Sequence, residues 1–304
     1  MKHLLFISSL AGLILFSACK KNDDPKLIFR FKFDPSQKRL NNLGQVSELP
    51  NGHAGQSPKM REMSAHYIEL APTAWTQVGN GEVLYTAPET NAGGEKAIAF
   101  SSAVKKGHLE EFHAVSLSDV QPGTYDYLRI SLAYQNYSVK MNLDSTFVVS
   151  GSNYPVNEEF DCTVASFVGY NTYLTSYQVK DKTFSVNGNR KQGYWGFEST
   201  MNIYGVDYEI AEDGQAPEGA TTVVNPINSS APIPAGSCLV TGLFDDGALE
   251  ITGNEKDDIV IEVSLSTNKS FEWVDRNGNG KWDPTKGEKI VDMGLRGLIP
   301  KVID

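Results

Sequence analysis

Tyr127-Leu128-Arg129-Ile130-Ser131-Leu132-Ala133-Tyr134 decides the fold class. Leu128, Ile130 and Leu132 fall on one face of an extended chain, with Arg129 and Ser131 on the other, the period of two that marks a strand. Gln121-Pro122-Gly123-Thr124 just upstream is a turn signal: proline presets φ and glycine tolerates the remaining torsions. The same alternation recurs in Leu27 to Phe33, where Leu27, Phe29, Phe31 and Phe33 alternate with Ile28, Arg30 and Lys32.

Further strands are expected at Thr146 to Val149, Tyr173 to Val179, Thr183 to Val186, Ile259 to Leu265 and Ser270 to Val274. Asn187-Gly188-Asn189 reads as a hairpin turn leading into Gly193 to Phe197. No stretch carries a long apolar stripe at helical spacing. Many short strands with frequent turns predict a mostly β chain, a β-sandwich of Ig-like or jelly-roll type with few or no long helices. Residues 41 to 65 and 211 to 237 are rich in turn formers and read as loops. The second is also a candidate subdomain boundary. One domain over 26 to 304 is the preferred reading, and two domains the alternative.

The first 18 residues are a secretory signal: Lys2 and His3, an apolar run from Leu4 to Phe16, then small Ser17 and Ala18 before Cys19. The run is too short to span a bilayer of ~30 Å as a helix. Leu15-Phe16-Ser17-Ala18-Cys19 resembles the bacterial lipobox, with leucine one step earlier than usual. That resemblance implies cleavage before Cys19 and lipid attachment to its thiol, palmitate included. Lys20-Lys21-Asn22-Asp23-Asp24 continues residues 19 to 25 as a charged tether and resembles the signal of Bacteroidota lipoproteins displayed on the outer face of the outer membrane.

The chain has 304 residues and a formal charge of −10, which becomes −11 once Lys2 leaves with the signal. An acidic surface repels nucleic acid and anionic lipid heads, so neither is an expected partner. Besides Cys19 there are Cys162 and Cys238. In an oxidising compartment they are either a disulfide, adding roughly 4 kcal/mol, or two buried thiols.

The strongest chemical motif is Asp275-Arg276-Asn277-Gly278-Asn279-Gly280-Lys281-Trp282-Asp283. Oxygen side chains recur at every second residue, Gly280 permits a sharp turn, and Lys281 can offer its carbonyl. Calcium takes six to eight oxygens at ~2.3–2.6 Å, and a coiled loop turns alternate side chains inward to supply them. Lys286 stands where a bidentate Glu belongs, and Glu288 comes two residues later. The loop resembles the Asp-x-Asn-x-Asn-Gly loops of dockerin-like and other extracellular calcium modules. A weak, structural calcium site follows, with Asp275, Asn277, Asn279, Lys281, Asp283 and Glu288 as ligands; a glycine-rich turn without an ion is the alternative.

Met60, Met63 and His66 supply two thioethers and an imidazole, soft ligands that suit copper(I), with simple packing the plainer reading. Leu27-Ile28-Phe29-Arg30-Phe31, Ser64 to Leu70 and Gln121 to Tyr125 loosely resemble the MbnP-like family of copper-associated β proteins, which implies copper as the alternative metal. His108 and His113 flank two glutamates without a zinc-protease spacing. Trp75, Trp195, Trp273 and Trp282, with 13 tyrosines, offer either a sugar-stacking platform or ordinary packing. No nucleophile elbow, phosphate loop or dinucleotide fingerprint occurs. The chain therefore reads as a non-catalytic binding module taking a glycan or a protein.

Overall fold

The computed structural model describes residues 24–216, 232, 234 and 236–303. The signal, Cys19 and most of the tether lie outside the described residues, as does most of 211 to 237. Among the described residues there is no α-helix, only three short 3-10 turns, and no helix long and apolar enough to cross a membrane.

Strand Tyr127–Val149 is the spine. The two strands expected at its ends are one continuous strand of 23 residues. It belongs to a seven-stranded sheet in the order Val206–Gln215, Tyr194–Ile203, Ser152–Phe167, Tyr127–Val149, Lys59–Ala71, Glu82–Thr86. Strand Cys238–Leu243 pairs with residues 127 to 132 of the spine and Ser152–Phe167 with residues 134 to 149. A second sheet runs Leu298–Ile303, Ile259–Ser266, Lys26–Asp34, Glu111–Ser116. Its central pair, Leu27 to Asp34 beside Ile259 to Ser266, is parallel. Residues after 237 thus pair back into sheets built by the first half of the chain. Two layers of curled sheet enclosing a common core make this a β-sandwich type of fold.

Alternation decides which face is buried. Leu27, Phe29 and Phe31 meet Leu128, Ile130, Leu132, Ile261 and Val263 in the largest core cluster, all fully buried. Each such side chain contributes roughly 1.5–3 kcal/mol by leaving water. Further along the spine Tyr137, Val139 and Met141 enter a second cluster with Phe271, Trp273 and Trp282. The opposite face of the sheet is covered near Tyr134, Ala165 and Phe167 by a four-stranded sheet, Thr183–Lys191, Asn171–Gln178, Ala97–Ala99, Glu89–Thr90. At Gly196 an added Cβ would lie 2.6 Å from Tyr177, and the turn after strand Asn171–Gln178 reaches as far as Glu198.

Two local expectations are corrected. Asn187-Gly188 is no hairpin turn: both residues lie inside strand Thr183–Lys191, at a register shift opposite Leu174 to Ser176, with Asn187 at φ 49° taking up the extra residue. Residues 41 to 65 are not all loop, since His53–Gln56 and the start of Lys59–Ala71 are strands. Their polar content reflects edge positions and bulges.

Candidate functional site

The 275 to 288 loop leaves strand Phe271–Val274 and folds on its own side chains. Asp275 accepts from the Gly278 and Gly280 amides at 2.9 and 3.0 Å. Asn277 accepts from the Asn279 amide, and Asn279 from the Lys281 amide. Gly278 and Gly280, at φ 69° and 71°, supply the left-handed conformation that the coil needs. The two-residue displacement of Glu288 is absorbed by the 3-10 turn Pro284–Lys286 and by Gly287 at φ 74°. Glu288 therefore reaches back into the loop and accepts from the Arg276 amide at 3.2 Å and the Asp283 amide at 2.7 Å.

Asp283 is fully buried and does a different job. Its carboxylate accepts from the Thr285 amide and hydroxyl on one oxygen, and from Asn142 Nδ2 and the Asp144 amide on the other. It fastens the loop to the spine, and the Asn142 amide donates to the Trp282 carbonyl at 2.7 Å. Lys281 and Lys286 turn outward to Glu159 and Asp144. Among the described residues no three His, Cys, Asp or Glu side chains stand together as a metal-holding group. The loop's own oxygens on offer are those of Asp275, Asn277, Asn279 and Glu288.

The copper candidates Met60, Met63 and His66 each have packing or polar partners of their own. Met63 is buried in the largest core cluster and Met60 packs at its margin. His66 is buried among other partners: its Nε2 lies 3.2 Å from Glu89, its ring 5.3 Å from that of Tyr170. Register shifts between Met60 and Glu62 and around Ala65 break the regular spacing of the three. Burial pushes the His66 imidazole below its ordinary pKa, against the pull of Glu89. His108 accepts from the Phe33 amide and His113 lies against the Leu84 carbonyl, so these two do not meet either.

The disulfide alternative is overturned. Cys162 and Cys238 are free and buried. Cys162 stands beside Val139 on the spine and Cys238 beside Leu132. At ~3.3 Å per residue they are separated by roughly 23 Å along it, against an upper limit of ~7 Å between bridged Cα atoms.

The tryptophans form no common platform. Trp273 and Trp282 are core residues, Trp195 is half-buried and Trp75 is 92% exposed by itself in a loop. An exposed cluster does occur elsewhere, where two hairpins end side by side. Ser150-Gly151 and Tyr204-Gly205 are two-residue turns with positive φ at both positions, the type I′ geometry. Phe147, Val148, Tyr154, Tyr204, Val206 and Tyr208 all stand exposed there. Tyr154 and Tyr204 meet edge to face at 5.4 Å, and the Tyr204 hydroxyl donates to the Pro155 carbonyl. An X-Gly pair flanked by alternating aromatics was the available sequence signal for this tip.

A cavity of about 60 Å³ beside Gln135, Cys238 and Met293 holds only a few waters, at roughly 10–15 Å³ each. No protein-family model, curated protein or solved structure matches the chain.

Proposed function

We propose that the chain is a non-catalytic binding module, attached by lipid on Cys19 to the outer membrane, facing the cell exterior and recognising a partner protein through its hairpin tip. The observation that carries this reading is the contiguous exposed cluster Phe147, Tyr154, Tyr204, Val206 and Tyr208 on one face of the tip. Contiguous apolar patches on a folded surface mark interaction sites far more than scattered apolar residues do. The rings of Tyr154 and Tyr204 lie 69° apart, which favours an irregular protein surface over a flat sugar ring. The 16 residues of spine between Leu132, in the cluster shared with the first strand, and Val148 span roughly 50 Å of contour. A tether joined ahead of Lys26 would leave the tip pointing away from the anchor. Calcium in the 275 to 288 loop would hold the C-terminal part in shape.

Proximity labelling on intact cells tests this. The full chain is expected to label a defined set of surface proteins, and the triple variant F147S/Y204S/Y208S to lose them while remaining surface-exposed and folded. Cys19→Ser should abolish incorporation of labelled palmitate. Unchanged labelling by the triple variant, or palmitate retained without Cys19, rejects the reading.

A further inference from the structure

The uncovered part of the seven-stranded sheet carries a second surface, independent of the tip. Two recesses of about 340 and 370 Å³ adjoin there and share Arg61 and Lys180 as walls. Both volumes fall within the ~300–1,000 Å³ typical of ligand pockets. Lys59, Ser138, Thr163 and Glu198 form a cross-strand row, each opposite the next. Thr200 lies one row further toward the tip. The floor is therefore a band of hydroxyls, set between cations from both sides.

The cations are placed by specific devices. Arg61 is the extra residue of a bulge between Met60 and Glu62, which turns it out of the ladder. Lys180 sits on the turn after strand Asn171–Gln178. That turn is held down by Glu198, whose carboxylate accepts from the Lys180, Asp181 and Lys182 amides at 2.9 to 3.0 Å. Glu198 is thus fully engaged. Asp161 pairs with Lys140 at 2.7 Å, and Lys180 with Asp181 at 3.3 Å. Neither Lys59 nor Arg61 has a salt-bridge partner among the described residues, although the chain as a whole is acidic.

We propose that this trough binds an acidic saccharide, a sugar chain carrying carboxylate or sulfate groups at intervals. Lys59 and Arg61 would meet the acid groups. Ser138, Thr163 and Thr200, with the side-chain amide of Gln178 in the adjoining recess, would exchange hydrogen bonds with ring hydroxyls. Lys59 and Arg61 stand beside the Glu62 carboxylate, which also lines the trough, so the site matches a ligand that places only one or two acid groups on it. Nucleic acid, with one phosphate per ~1.7 Å of duplex axis, would be repelled by the surrounding negative charge. The lining also contains no aromatic side chain for bases to stack on.

Calorimetric titration of the full chain at low salt with oligogalacturonate, maltooligosaccharide, poly-glutamate and single-stranded DNA tests the assignment. Oligogalacturonate alone is expected to bind, more weakly as salt rises. Lys59→Ala and Arg61→Ala, both exposed, should each cost about fivefold in affinity, and Ser138→Val should weaken binding with no change in salt dependence. Lys301→Ala, paired with Asp246 on another sheet, and the tip variant should bind as the parent does, so loss of the tip reading leaves this result standing. Equal binding of maltooligosaccharide, poly-glutamate or DNA overturns the proposal. So does oligogalacturonate binding that survives K59A/R61A, or no binding of it at all.

Discussion

The Arg39 guanidinium lies 2.6 Å from the Glu272 carboxylate, and both side chains are buried. The same carboxylate takes His53 Nδ1 at 2.6 Å and Arg296 at 3.5 Å. Arg39 also donates to the Lys269 carbonyl. One glutamate on strand Phe271–Val274 thereby ties down the 35 to 52 segment, the short strand His53–Gln56 and the C-terminal turn.

Arg39→Met should destabilise the protein by about 3–5 kcal/mol, because a buried carboxylate loses its closest cation. Urea unfolding measures the loss. A change below ~1 kcal/mol would mean that Arg296 and His53 suffice without it.

Acid should weaken the same junction. Burial pushes the Glu272 carboxyl up, but hydrogen bonds from His53 and Arg39 and the charges of Arg39 and Arg296 outweigh it and hold the group below the usual glutamate range. A pKa lower in the folded than in the unfolded state adds stability above the unfolded value. That stability disappears as the pH falls through the lowered one. Stability against pH should therefore drop more steeply on the acid side in the parent than in Glu272→Gln.

Both cysteines beyond Cys19 should react as thiols only after unfolding. Burial pushes Cys162 up to about 11 and Cys238 up to about 12, so both are protonated at neutral pH and shielded. Thiol titration should give no fast reaction from either in the native protein and two in denaturant. Reductant should leave the melting temperature unchanged.

Calcium at about ten times its dissociation constant should add ~1.4 kcal/mol of stability, read as a rise in melting temperature that a chelator reverses. D275N/E288Q should remove the rise. Asp283→Asn should instead destabilise the protein with or without the ion, since that side chain anchors the loop to Asn142 and Asp144.

Glu198→Gln should cost about 1–3 kcal/mol, since one amide oxygen replaces a carboxylate that serves three backbone donors. Amide hydrogen exchange at Lys180, Asp181 and Lys182 should accelerate more than in the neighbouring strand Asn171–Gln178.

Strands were legible wherever one face meets the core and the other meets water, as in Leu27 to Phe33 and Tyr127 to Tyr134. The middle of the spine was not, because Asn136 and Asn142 are buried on the face that polarity would assign to solvent, while Gln135 is buried on the same face as Tyr137 and Val139. Asn187-Gly188 carries the composition of a hairpin turn, yet strand pairing on both sides makes it a bulge. In the calcium-type loop the spacing was readable, but the docking role of Asp283 depends on Asn142 and Asp144, some 140 residues away. The tip and the trough arise from register between distant strands, which no local pattern encodes.

Strand Lys26–Asp34 sits in the middle of its sheet, and its parallel neighbour begins at Ile259. Synthesis delivers the amino end first. Strand Glu111–Ser116 can cover one edge of this strand early, but the other edge, with Leu27, Phe29, Phe31 and Phe33, must wait for residues 259 to 266. Pairing of such sequence-distant strands is intrinsically slow, and a waiting apolar strand is prone to aggregate. The final closure of this protein belongs to the last part of the chain made, so a nascent chain cut short before residue 259 would present one open edge of an apolar strand to any chaperone it meets.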